Sequence, residues 1–171
     1  MVSKFLKTLL LVACCGLNLG AAVAADLRGQ PLPEVNLPAL KGNAPAFNRS
    51  NLLGKVVYVD FWASWCAPCR ASFPWLSAMD SKYRSKGLLI VGVNKDQDPA
   101  DADRFLAKYP ASFALVRDPG DALASRLGVI GMPSAYLIDR KGIIHAIHKG
   151  FRTDDQVPLE STIVALLEQQ P

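Results

Sequence analysis

Two cysteines three residues apart stand in the run Phe61-Trp62-Ala63-Ser64-Trp65-Cys66-Ala67-Pro68-Cys69-Arg70, and their types and spacing support redox chemistry. Side chains three apart on a helix are neighbours, and their separation lies within what a disulfide tolerates. Cys66 and Cys69 can therefore open and close a bond with little backbone movement. A cysteine attacks only as its thiolate, and a helix N-terminus favours that anion through its free amides and dipole. Cys66 sits just ahead of an expected helix, with Pro68 in the first turn where a missing amide costs little. It is expected to be the exposed attacking sulfur. Cys69, one turn in on the apolar face, is expected to be shielded and to resolve a mixed disulfide between Cys66 and a partner.

Two blander uses of such a pair are weaker. A permanent bond closing so small a loop constrains the unfolded chain little. A zinc site would need two further ligands, and beyond Cys14 and Cys15 the chain has no other cysteine. Those two fall in a segment that reads as a leader. Lys4 and Lys7 form a short basic region, Thr8 to Val23 is almost wholly apolar or small, and Ala22-Val23-Ala24-Ala25 offers a cleavage site. Residues 1–25 are expected to be a cleaved signal peptide rather than a membrane anchor, since Gly16, Asn18 and Gly20 interrupt the apolar run. Leu11-Val12-Ala13-Cys14 also resembles a lipoprotein cleavage box, which would leave a lipid-modified Cys14. Its apolar lead is short, and apolar sequence continues past it.

Removing the leader from the 171 residues leaves a single domain, 26–171, of 146 residues whose only cysteines are Cys66 and Cys69. A chain of that size builds its own core without a disulfide framework, so the pair is free for chemistry. Taking Lys4 and Lys7 from 19 basic residues leaves 17 against 15 acidic, a net charge of +2, and no basic stripe points to nucleic acid.

The elements that must position the pair follow from the pattern. Residues 26–51 carry Pro31, Pro33, Pro38 and Pro45, which allow only short extended pieces near 35–37 and 46–48. The β-branched run from Val56 to Phe61 reads as a strand covered on both faces. From Ala67 to Tyr83, Cys69, Phe73, Leu76, Met79 and Tyr83 recur at helical spacing, with Pro74 expected to kink the helix. A second buried strand spans Leu88 to Val93. Asp98-Pro99 caps and opens a helix to Lys108. A short strand from Phe113 to Val116, a helix from Asp121 to Leu127 and a hairpin of Pro133–Ile138 with Ile143–His148 follow. The last helix starts between Thr153 and Pro158 and ends at Glu168. Strands alternating with helices, then a hairpin and a helix, make an α/β domain with a mixed sheet.

Val59-Asp60-Phe61-Trp62-Ala63 followed by Trp65-Cys66-Ala67-Pro68-Cys69-Arg70 resembles the thioredoxin superfamily. The Pro-rich lead-in, the extra strand-helix unit between Val93 and Phe113, and Gly131-Met132-Pro133 before a strand resemble its exported TlpA/ResA-type thiol:disulfide oxidoreductases. The likeness covers roughly residues 33–168. It implies a thioredoxin-like fold with helices on both faces of the sheet, a cis Met132-Pro133 bond facing the dithiol, and a partner strand held by Trp65, Pro68, Met132 and Pro133. An acid in an apolar strand is costly unless paired or protonated. The resemblance gives Asp60 a use, taking up the proton of Cys69, for which burial would raise its pKa; an exposed strand-edge aspartate is the alternative. Many of these relatives carry a glutamate three residues after the second cysteine, where this chain has Ser72.

The expected activity is thiol:disulfide exchange with protein partners in the periplasm, as a monomeric reductant with no diffusible cofactor, recharged by a membrane thiol-electron transporter. A disulfide-forming oxidant would use the same residues, and a copper carrier could use both thiolates as soft ligands. A peroxidase would need a proline seven and a threonine or serine three residues before its reactive cysteine, where Val59 and Ala63 stand. Trp62 and Trp65 read as wall and rim of the site, and Trp75 as either core or surface. His145 and His148, three apart in a strand, point to opposite faces.

Overall fold

The computed structural model describes residues 26–40 and 47–169. The expected leader, Cys14 and Cys15 lie outside the described residues. Five strands form one mixed sheet in the order β3-β2-β1-β4-β5, built from β1 (Val56–Trp62), β2 (Leu88–Asn94), β3 (Ala114–Arg117), β4 (Ser134–Ile138) and β5 (Ile144–Lys149). β1 runs parallel to β2 and β2 to β3, while β4 is antiparallel to both β1 and β5. Four helices are interleaved: α1 (Cys69–Tyr83), α2 (Pro99–Lys108), α3 (Ala122–Arg126) and α4 (Gln156–Glu168). Of the extra strand-helix unit expected between Val93 and Phe113, that interval holds the helix, α2, while its strand, β3, begins just past it at Ala114. In the Pro-rich lead-in, Leu37 and Phe47 pair as an isolated antiparallel bridge. Among the described residues no helix is long and apolar enough to cross a membrane.

Alternation along β1 sorts the core into two layers. Tyr58 and Trp62 face a cluster with Phe73 and Leu76 of α1 and Ile163 of α4. Val57, Val59 and Phe61 face the other, with Leu123 of α3 and Tyr136 of β4. Every residue of β1 is buried, as the unbroken apolar run implied. Two local signals hold closely. Asp98 is the N-cap of α2, accepting from the Ala100 amide at 2.9 Å with Pro99 in the first turn. Gly128 follows α3 at φ 63°, the left-handed conformation that suits glycine after a helix.

One expectation needs correction. α1 starts at Cys69 rather than Ala67, because Ala67 and Pro68 form a turn and Pro68 is the N-cap. Pro74 lies inside this one helix, where it deprives the carbonyl of exposed Arg70 of its donor. Trp75 belongs to the core, its ring against those of Tyr58 and Phe151 at 6.0 and 5.5 Å.

Gly92, in the middle of β2, is where the extra unit locks to the sheet. A Cβ there would stand 2.8 Å from Leu115 Cδ2 and 3.1 Å from both Phe113 Cε2 and Trp62 Nε1. The leucine end can shift, but the two rings are held by a stack that includes Phe73 and Phe105. Gly92→Ala is therefore expected to lose about 1–3 kcal/mol through overpacking, read as a lower urea midpoint.

Candidate active site

β1 ends at Trp62, the chain turns through 63–68, and α1 begins at Cys69. Cys66 and Cys69 form a disulfide with their Cα atoms 5.3 Å apart, and the Cys69 amide, at the open end of α1, donates to Cys66 Sγ at 3.2 Å. A helix-terminal N–H thus points at the sulfur expected to carry negative charge. Cys69 is buried as expected. Cys66 is not the exposed sulfur that was expected: only 3% of the residue is accessible, while Trp65, Ala67 and Pro68 around it are exposed. In the closed disulfide its Sγ is turned toward Cys69 and the helix amide instead of outward.

Asp60 lies in β1 with 2% exposure, which overturns the strand-edge alternative. By alternation it shares a sheet face with Tyr58 and Trp62, and those residues belong to the cluster containing Cys66 and Cys69. Its cross-strand neighbours are Gly92 on β2 and Ala135 on β4, neither of which can pair with a carboxylate. Among the described residues Oδ2 has no hydrogen-bond partner. Burial pushes the Asp60 carboxyl well above the usual carboxylate range. Tyr58 is also pushed up, by burial first and then by the charges of Asp60 and Asp155.

The turn before Cys66 is tied down by a residue the sequence did not single out. Asp96, buried just beyond β2, accepts from the Ser64 amide at 3.0 Å, from Ser64 Oγ at 2.9 Å and from Asn94 Nδ2 at 2.8 Å. The contact joins residues 32 apart in sequence, so no local spacing announces it. Ser72 is buried and its hydroxyl donates to the Cys69 carbonyl at 3.2 Å.

The second wall comes from the loop between α3 and β4. Ahead of it, Asp118 holds the start of α3, accepting from the Leu123 and Ala124 amides at 3.1 and 2.8 Å, with Lys95 Nζ 3.9 Å from its carboxylate. The chain then passes Ile130 and reaches a cis Met132-Pro133 bond, as the resemblance implied. Met132 is half-buried and packs against both core clusters, and Pro133 is buried. Trp62 is fully buried, whereas Trp65 at 67% and Ile130 at 90% are large exposed apolar residues, the latter absent from the sequence reading. His148 Nε2 stands 3.3 Å from Asp155 Oδ2, while His145 is exposed.

Residues 27–166 match the model of the Redoxin family. The chain is 36% identical over 131 residues to the thiol:disulfide interchange protein DsbE of Pseudomonas fluorescens, covering 76% of this chain and 71% of that one. It is 32% identical over 129 residues to the thiol-disulfide oxidoreductase ResA of Bacillus thuringiensis, covering 75% and 73%. A crystal structure from Chlorobium tepidum, described as a DsbE-type thiol:disulfide interchange protein, superposes with a TM-score of 0.77 at 44% identity over 82% of this chain and 97% of that one.

The raised pKa of Asp60 makes a test by stability. Unfolded, the carboxyl ionises near its ordinary value of 3.8; folded, it keeps its proton to much higher pH. Across that interval unfolding releases a proton, so stability falls as pH rises and levels off only above the folded pKa. Asp60→Asn removes this slope. In urea titrations of the oxidised protein, the variant is expected to gain on the parent as pH rises above about 4, with the difference constant below that.

Proposed function

Given that the chain belongs to the Redoxin family and is a thiol:disulfide oxidoreductase of the DsbE/ResA kind, we propose that it reduces disulfides of partner proteins in the periplasm. The observation that carries this reading is the Cys66–Cys69 pair at the open end of α1 with the unpartnered carboxyl of Asp60 buried in the strand before it.

The Cys66 thiolate attacks one sulfur of the partner disulfide, that S–S bond breaks, and the partner's other sulfur leaves as a thiolate. Cys69 then gives its proton to the Asp60 carboxylate and attacks Cys66 Sγ. The Cys66–Cys69 bond forms, the mixed disulfide breaks, and the partner's second sulfur leaves as a thiolate; its two thiolates take up protons from Asp60 and water to give the dithiol. Two electrons pass from enzyme to partner. Asp60 suits the proton transfer because burial makes its carboxylate a far stronger base than an exposed one, so that it can take the proton of a thiol. Cys66 must swing out of its closed position when the disulfide opens, and the exposed Trp65 and Pro68, with Met132 and Pro133 opposite, give the partner strand its seat.

Residues 1–25 act as the signal that exports domain 26–171, with lipidation at Cys14 as the alternative route. The protein works as a monomer and, in an oxidising compartment, needs a membrane thiol-electron transporter to restore its dithiol. The chemistry needs no diffusible cofactor.

In an insulin-reduction assay, Cys66→Ser is expected to abolish turnover, and Cys69→Ser to accumulate a mixed disulfide through Cys66. Turnover retained by Cys66→Ser would sink the reading. A reduction potential nearer about −270 mV than about −120 mV is expected for a reductant, and the reverse would make it an oxidant. Asp60→Ala is expected to slow partner reduction near neutral pH; equal rates from pH 6 to 9 would remove Asp60 from the mechanism.

A further inference from the structure

Beside the dithiol runs a groove of about 310 Å³ that the exchange chemistry does not use. One wall is Arg70, the residue after Cys69. The other is α2, which contributes Asp101, Arg104 and Lys108, with Phe105 and Tyr109 beneath them. Ser64, two residues before Cys66, closes the near end. Neither Trp65 nor Ile130 lines it, so it is distinct from the exposed apolar residues at the site.

The charge of this groove is one-sided. Its single carboxylate, Asp101, is paired to Arg104 one turn along the helix, and the Arg104 side chain is 68% exposed. Such a pair is screened by water and leaves the guanidinium open to a second anion. Arg70 and Lys108 have no carboxylate partner among the described residues. Two nearby acids are turned elsewhere: Asp96 faces Ser64 and Asn94, and Asp98 caps the Ala100 amide. The rings of Phe105 and Tyr109, 4.9 Å apart, make a firm base. The frame is stiff too, since Ser64 is held by Asp96 and Phe105 is locked against Trp62 and Phe73. Two unpaired cations and a third at the rim, fixed around an aromatic base, suit a chain with closely spaced carboxylates.

Because Ser64 and Arg70 bracket the cysteines, a strand that places its own sulfur on Cys66 reaches the groove within about three to five residues, at roughly 3.3 Å per residue. We propose that this groove selects partner proteins by holding an acidic stretch a few residues from the partner cysteine that reacts with Cys66. The inference rests on the exchange activity above and adds the chemical class of its partner. Attraction of this kind acts mainly on the association rate and weakens with salt.

The test uses the reduced protein and three synthetic peptides with the same disulfide ring, followed on one side by a short run of Glu, Gln or Lys. At low salt the Glu peptide is expected to be reduced about tenfold faster than the Gln peptide, with the Lys peptide slowest, and the spread is expected to collapse at about 0.5 M salt. The double charge reversal Arg104→Glu with Lys108→Glu is expected to invert the order. The milder pair Arg104→Gln with Lys108→Gln should flatten it, and serves if the reversal disturbs α2. Lys86→Glu, past the far end of α1, should keep the parent order. Equal rates for the three peptides at low salt, or an order unchanged in both α2 double variants, would overturn the groove. Failure to reduce any of the peptides would instead overturn the exchange activity on which it rests.

Discussion

Every residue of β1 is buried. Strands pair with it on both edges, and hydrophobic clusters cover both its faces. A strand so enclosed cannot shift register without turning its whole apolar set to the wrong side, so the point where it emerges is fixed. At that point the chain makes the turn that carries Cys66 and delivers Cys69 to the first residue of α1. The position of the dithiol is thus a property of the sheet, and the reactive turn inherits the rigidity of the core.

The same enclosure sorts the acids around the site. Asp96 and Asp118 are buried, but each accepts several N–H or O–H donors, Asp96 from Ser64 and Asn94 and Asp118 from the first turn of α3, so folding replaces the water they lose. They act as fasteners, one for the turn before Cys66 and one for the start of α3. Asp60 has been stripped of water with no donor supplied to Oδ2, between a glycine and an alanine. A carboxyl in that position is costly when ionised and adds nothing to packing that an apolar residue would not. The proton transfer proposed for Asp60 gives a reason for its presence that stability does not.

What could be read from the sequence was whatever depends on local periodicity or on neighbours along the chain. The buried runs of β1 and β2, the Asp98-Pro99 start of α2, the β4–β5 hairpin and the shielding of Cys69 are of this kind. The onset of α1 was missed because helical spacing continues through Ala67 while the backbone there still turns. The burial of Cys66 was missed because reasoning about a thiolate at a helix end describes the open dithiol, and a closed bond turns the sulfur inward. Asp96 on Ser64 and the basic groove were out of reach for a different reason. Each joins residues from separate elements, brought side by side only when β1 and β2 pair.

That pairing also explains why reactivity and selection can reside in different parts of one small site. The dithiol and Asp60 belong to β1 and α1, at the centre of the sheet. The groove's cations come mostly from α2, on the unit that crosses from β2 to β3 and is pressed against Trp62 through Phe105, Phe113 and Gly92. The buried side of α2 must keep its shape to hold Trp62 in place, whereas Arg104 and Lys108 lie on its outer face, where substitutions away from packing usually change stability little. Charge on that outer face can therefore vary without disturbing the sulfur chemistry beneath it. The fold thereby holds an invariant reaction next to a surface free to choose its partners.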